Sequence, residues 1–254
     1  MKKSQLAAQL FTLRDFIKTP ADVAKALPKV RAIGYEAIQV SGMGPIDEAE
    51  LVKIASDSGL TICATHENGR NICEETEAVI ARLKKLNCRH TAYPYPHLEL
   101  NTRAEVLALA EQIEAAAVAM GKAGITLSYH NHDIEFKRVE GELVLDLIYG
   151  NAPHLLAEID TYWVQSGGQN PVKWIERFSG REPLLHLKEY GVLSQGVHTM
   201  FAVGHGNLDW RGIIAAGEAA GVEYFIVEQD NCNGADPFEE LRRSYDYLTA
   251  NFCD

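Results

Sequence analysis

The stretch CRHTAYPYPHLELNTRAEVLALAEQIEAAAVAMGKAGITLSYHNH (88–132) decides the architecture. It opens with a β-like run, CRHTAYPY (88–95), and closes with another, ITLSYHNH (125–132). Both carry the β-branched and aromatic residues that suit a pleated surface. Between them Thr102 and Glu105 have the spacing of a capping box, and an apolar-periodic run to Gly121 predicts one long helix. A strand, a helix and a strand joined this way form a βαβ unit, so the two strands are parallel.

The unit recurs along the chain. Further strand-like runs are QLAAQLFTL (5–13), EAIQVSG (36–42), LTICATH (60–66), LLAEIDTYW (155–163), PLLHLKEY (183–190) and EYFIVEQD (223–230). Helices are expected between them. The first starts at Thr19-Pro20, where proline suits the first turn, and ends on Gly34. Pro28 inside it predicts a kink or a late start. Others are expected over 47–58, 74–86, 142–150, 171–178, 208–220 and 237–251. Eight strands, each followed by a helix and without a Ser- or Gly-rich linker, predict one α/β domain over 1–254, a (β/α)8 TIM barrel. A doubly wound open sheet is the competing fold; no G-x-G-x-x-G follows the first strand to favour it.

Composition narrows the function. The 254 residues include 24 Lys and Arg against 35 Asp and Glu, a net charge of −11. Such a surface repels phosphate backbones and anionic lipid, so neither nucleic acid nor membrane is an expected partner. No apolar run approaches the length of a membrane span. The N-terminus MKKSQLAAQLFTLRD lacks the unbroken apolar core of a signal peptide. Five cysteines, an odd number without a CxxC, read as reduced thiols in a cytoplasmic protein. Cys63 reads as a small buried hydrophobe and Cys232 as a loop thiol. A homo-oligomer is compatible with all of this.

In a barrel the reacting groups sit at the C-terminal ends of the strands. Here those ends carry His66, then His130, Asn131, His132 and Glu135, then Glu158 and Asp160, then His186 and Lys188, then Glu228 and Asp230. Side chains two apart on a strand share a face, so Glu158 pairs with Asp160 and His186 with Lys188. Any one of these taken alone reads first as a solvated or satisfied loop residue. Four consecutive strands ending in acid or imidazole are harder to explain that way, because carboxylates packed in a narrow mouth repel one another. One divalent cation would remove the conflict. A donor set of carboxylates and imidazole without thiolate suits Mn²⁺, Mg²⁺, Zn²⁺ or Co²⁺.

The runs YHNHDIEF (129–136), EIDTYWV (158–164), HLKEY (186–190), VGHGNLDW (203–210) and IVEQD (226–230) resemble the sugar phosphate isomerase/epimerase family of xylose isomerase-like barrels. QLFTLRD (9–15) and GYEAIQVSG (34–42) are similar to its opening, so the resemblance spans the chain. It implies one metal held by Glu, Asp, His and Glu from strands five to eight. Asp160, His186 and Glu228 match that set. The fifth strand departs: relatives carry Glu-Asn-His where this chain has His130-Asn131-His132. Either Glu135 folds back as the fourth ligand or His130 takes its place, and the need for a second carboxylate favours Glu135.

The resemblance also implies proton abstraction beside a sugar carbonyl, with Glu135 and Glu228 as the acid–base pair. His66, His130, His132 and Lys188 would contact substrate, and Trp163 would stack on a sugar face. A lyase or dehydratase acting on a keto-sugar or 3-keto glycoside shares the first step and is the alternative. The superfamily's abasic-site endonucleases use three zinc ions and a histidine three residues after the strand-six Asp. Trp163 stands there, and the acidic balance opposes DNA. In the seventh loop Gly204-His205-Gly206-Asn207 reads as a phosphate loop or a plain turn, with Arg211 the nearest cation.

Overall fold

A computed structural model describes residues 1–254. Eight parallel strands close into a barrel: β1 Leu6–Gln9, β2 Ala37–Val40, β3 Thr61–His66, β4 His90–Tyr93, β5 Thr126–His130, β6 Leu156–Asp160, β7 Leu184–Leu187 and β8 Tyr224–Val227. Each pairs with its sequence neighbours, and β1 pairs with β8. The (β/α)8 barrel is therefore the fold, and the open doubly wound sheet is excluded.

The helices form the outer ring, and caps in the sequence start most of them. Thr19 caps α1 (Pro20–Ile33), Asp47 caps α2 (Glu48–Asp57), and α3 is Thr76–Lys85. The Thr102–Glu105 capping box opens α4 (Arg103–Lys122) as expected. Then follow α5 (Val144–Asn151), α6 (Pro171–Arg177), α7 (Trp210–Ala220) and α8 (Pro237–Phe252). Pro28 neither delays nor ends α1; it lies on the exposed side, where the carbonyl it strands faces water.

The strands are shorter than the apolar runs that announced them. After Gln9 the chain turns into a 3-10 segment, Leu10–Phe16. After Asp160 it enters a short helix, Thr161–Ser166, whose Trp163 amide donates to the Asp160 carboxylate at 3.0 Å. After Leu187 it forms a hairpin in which Glu189–Val192 pairs with His198–Phe201. The helix expected over 74–86 starts at Thr76 and is preceded by an unexpected short helix, Gly69–Glu74, with Glu75 out of helical geometry between them. After each of these three strands apolar or aromatic residues continue the pattern beyond the last ladder bond, because burial under loops rewards them as much as burial in a strand does.

One large apolar cluster fills the space between barrel and helices. The lower barrel interior is a separate small plug of Ala7, Ala37, Cys63, Ala64, Leu184 and Ile226. Its small residues fit a narrow interior. Above it the interior becomes polar, with Gln9, Gln39, Glu158 and His186 all fully buried. No helix is long and apolar enough to cross a membrane.

Candidate metal centre and active site

Register brings the strand ends together. His130 is level with Glu158 across the β5–β6 pair, and Asp160 is level with His186 across β6–β7. Two groups of close donor atoms result. One is His130, Asp160, His186 and Glu228; the other is His66, His130, Glu158 and His186; within each, ligand atoms lie within 4.8 Å of one another. The groups share both His130 and His186. One ion in both at once would need two imidazoles to bridge through both nitrogens, so the groups are alternatives.

Hydrogen bonding decides between them. Gln39 Nε2 donates to Glu158 Oε1 at 2.6 Å, which turns Gln39 Oε1 toward His186 Nε2 at 2.7 Å. An amide oxygen only accepts, so His186 Nε2 carries a hydrogen and Nδ1 is the nitrogen at which a cation could replace a proton. That Nδ1 is 3.0 Å from Glu228 Oε2 and 3.7 Å from Asp160 Oδ2. Gln9 Nε2 supports Gln39 Oε1 at 2.9 Å. Glu158 is further engaged by His66 Nε2 at 2.6 Å. By contrast Asp160 Oδ2 and His130 Nδ1 are buried without a hydrogen-bond partner. The salt-bridge partner nearest that oxygen is Lys188 Nζ, at 3.3 Å, and with the His186 Nδ1 position and a second carboxylate beside it the group of His130, Asp160, His186 and Glu228 fits a divalent cation.

The electrostatics agree. Burial alone would raise the Glu228 and Asp160 carboxyls, but Lys188 and His186 beside them hold both below the usual range. Burial opposes charge on His186, yet Glu158, Asp160 and Glu228 around it keep its imidazole protonated well above the ordinary range. A cluster that holds a proton this firmly is one that accepts a cation, which competes with that proton. His130 goes the other way: burial, then the neighbouring His186 charge, push it down to about 4. Burial and His130 push His132 down to about 2. Both are neutral rings at physiological pH, as metal binding requires of His130.

Lys188 is fully buried and salt-bridged to three acids: Glu228 at 2.8 Å, Asp230 at 2.9 Å and Asp160 at 3.3 Å. His66, His130, His132, Lys188, Glu228 and Asp230 line a cavity of about 290 Å³, whose outer lip is Phe11, Pro94 and Tyr95.

Two candidates lie apart from that mouth. Glu135 is buried behind it: one carboxylate oxygen accepts from Tyr129 Oη at 2.9 Å, the other from the His132 amide at 2.7 Å. Burial pushes it up to about 7 against those two bonds. It is not among the close donor atoms, and His130 is. The reason is local, since the 3-10 turn Ile134–Phe136 directs it onto the Tyr129 hydroxyl rather than back over the strand. Trp163 packs between His132, at 5.1 Å between ring centroids, and Tyr162, at 4.8 Å, with Lys188 Nζ 5.2 Å from its own centroid. Sequence reading missed Gln9 and Gln39. The signal was present: a glutamine in the last two positions of each of two otherwise apolar strands, where a barrel interior ordinarily takes branched aliphatics.

No protein-family model matches the chain, and the comparison with curated proteins gave no match. Solved structures do match. A sugar phosphate isomerase/epimerase from Parabacteroides distasonis ATCC 8503 superposes with a TM-score of 0.82 at 25% identity, covering 96% of each chain. An L-ribulose 3-epimerase gives 0.75 at 17% identity, covering 97% of this chain and 94% of that one. A "probable 3-DHS dehydratase" from Bacillus anthracis gives 0.73 at 13%, covering 98% and 99%. The solved structures that this chain resembles over its whole length thus include sugar phosphate isomerase/epimerase and xylose isomerase-like TIM barrel proteins.

Proposed function

We propose that the chain is a divalent-metal-dependent sugar isomerase or epimerase that abstracts a proton beside a carbonyl. The observation that carries this is the buried group of His130, Asp160, His186 and Glu228, whose ligand atoms lie within 4.8 Å of one another beside a polar pocket. Those four residues would hold the ion, with Mn²⁺, Mg²⁺, Zn²⁺ and Co²⁺ all suited to the donor set. A bound ion would supply Lewis-acid stabilisation of the enolate oxygen.

The chain's own residues do the rest. Glu228 stays ionised at neutral pH under the charges of Lys188 and His186, and it lines the pocket, so it is the proposed base. Lys188, buried and charged, adds a fixed positive centre beside the developing oxyanion. His66, held by Glu158, and His132 are placed to hydrogen-bond substrate hydroxyls. Closing the carbonyl end among these groups keeps water from the reacting carbon.

One observation favours elimination as a second reading. A two-base epimerase needs a second acid–base group across the substrate from Glu228, and Glu135 is held behind the mouth by Tyr129 and His132. A single base suffices for a lyase or dehydratase, where the enolate expels a β-substituent. Incubation with ketoses and keto-sugars in deuterated water, followed by NMR, tests both. Metal-dependent deuterium uptake beside the carbonyl with interconverted isomers supports the isomerase; uptake with loss of water or an aglycone supports the lyase. No uptake with any substrate would refute both. Glu228→Gln should lower exchange by about 10²–10⁴-fold.

A further inference from the structure

We propose that this site excludes phosphate-bearing substrates and takes uncharged sugars, because the place where a barrel binds phosphate is already filled from within by the Glu189 carboxylate. The inference rests on the sugar-enzyme reading above and narrows its substrate class. Barrels commonly bind phosphate with backbone N–H groups of the loops after the seventh and eighth strands. Here the seventh loop is 202–209, which runs from the hairpin to α7.

Glu189 is fully buried beneath this loop. Its carboxylate accepts from the Gly204 amide at 2.8 Å, the Leu208 amide at 3.1 Å and the Tyr190 amide at 3.1 Å, and from the Trp210 indole Nε1. Four N–H groups converging on one anion form the donor set a phosphate oxygen would seek. Other amides of the loop are committed too: His205 donates to the Ala202 carbonyl at 3.0 Å and Asn207 to the Tyr190 carbonyl at 2.8 Å. Nor is there space. A Cβ added to Gly206 would lie 2.5 Å from the Tyr190 carbonyl oxygen and 2.6 Å from Glu189 Cγ. The loop is wrapped tightly on its own carboxylate.

Lys188 and Arg14 are likewise committed, and Arg211 lies in a separate pocket with Ile214, Tyr247 and Phe252. Lys188 serves three acids. Arg14 gives its guanidinium to the Phe11 carbonyl at 3.0 Å and the Asp230 carbonyl at 2.8 Å. The pocket wall itself presents Glu228 and Asp230. A dianionic phosphate brought here would meet carboxylates and no free donor cluster, whereas sugar hydroxyls both donate and accept and so suit carboxylate, imidazole and ammonium alike.

The test follows amide and indole resonances of the ¹⁵N-labelled, Mg²⁺-loaded protein while inorganic phosphate, and then a ketose phosphate, is added. The Trp210 indole and the Gly204 and Leu208 amides should stay unmoved. In parallel, deuterium exchange is compared between ketoses and their phosphorylated forms; the uncharged form should have at least about tenfold higher kcat/KM. Saturable movement of those three resonances, or faster exchange of the phosphorylated form, would overturn the inference. Unmoved resonances with no exchange in either series would uphold the exclusion and refute the sugar-enzyme reading instead.

Discussion

The two ends of β7 hold two buried glutamates with opposite circumstances. Glu182, just before the strand at the barrel's lower end, is 2% exposed, and neither carboxylate oxygen has a hydrogen-bond partner. Burial pushes its carboxyl well above the usual range. Glu189, just past the strand at the upper end, is buried as completely but receives four N–H donors. Between them His186 and Lys188 sit among further acids whose charge is matched by neighbours. Burial by itself therefore does not make an acid costly; the count of donors and cations aimed at it does. The lower end tolerates one unmatched acid as a neutral carboxyl. The upper end assembles several as anions, which is what a cation site and a base require.

The largest expected effect breaks the upper end outright. Asp160→Asn combined with His186→Ala removes two of the four proposed ligands and should reduce divalent-metal affinity by at least about 100-fold, read by elemental analysis after dialysis. Retention of one metal per chain would place the ion elsewhere.

A second pair of variants sharpens which residue of the fifth-strand motif belongs to the upper cluster. His130→Ala should strip the metal, while Glu135→Gln should keep it, because Glu135 is bound to Tyr129 and His132 instead. The opposite pattern in metal content would restore Glu135 as the ligand. A third variant probes support rather than ligation. Gln39→Leu removes the group that fixes His186 Nδ1 toward Asp160 and Glu228, and should weaken metal binding by about 10–100-fold without unfolding the barrel. Unchanged affinity would mean that packing alone orients the ring.

The smallest effect lies at the lower end. The folded-state pKa of Glu182 is raised, so its share of stability is intact below the unfolded-state pKa, near about 4.3, and is lost as pH rises through the folded value. Glu182→Gln should therefore match the parent near that lower pH and exceed it at pH above neutrality, by about 1–3 kcal/mol in denaturant melts. Equal stability at both pH values would show that Glu182 has partners in solution.

Much of this was legible in residue order. Alternation of strand and helix patterns, capping residues such as Thr19 and Thr102, and terminating glycines announced a closed parallel barrel. The identity of the residues at the strand ends already pointed to Asp160, His186, Glu228 and Lys188. Strand lengths were not legible, because Leu10, Trp163 and Tyr190 continue an apolar pattern after the ladder has ended. The role of GHGN (204–207) was not legible either, since its partner Glu189 lies in another turn.

What the sequence determined by itself is periodicity and chemistry: which segments alternate at two and which at three to four, and which strands end in acid or imidazole. Those are local properties, written in neighbouring residues. Tertiary structure alone decided who meets whom. Gln39 reaches Glu158 and His186 across the barrel because closure sets strands distant in sequence face to face. Glu135 turns to Tyr129 while His130 lies among the close donor atoms, because strand register and one 3-10 turn place them so. Hydrogen-bond geometry over a few ångströms makes that choice, and residue order does not encode such distances until the barrel closes.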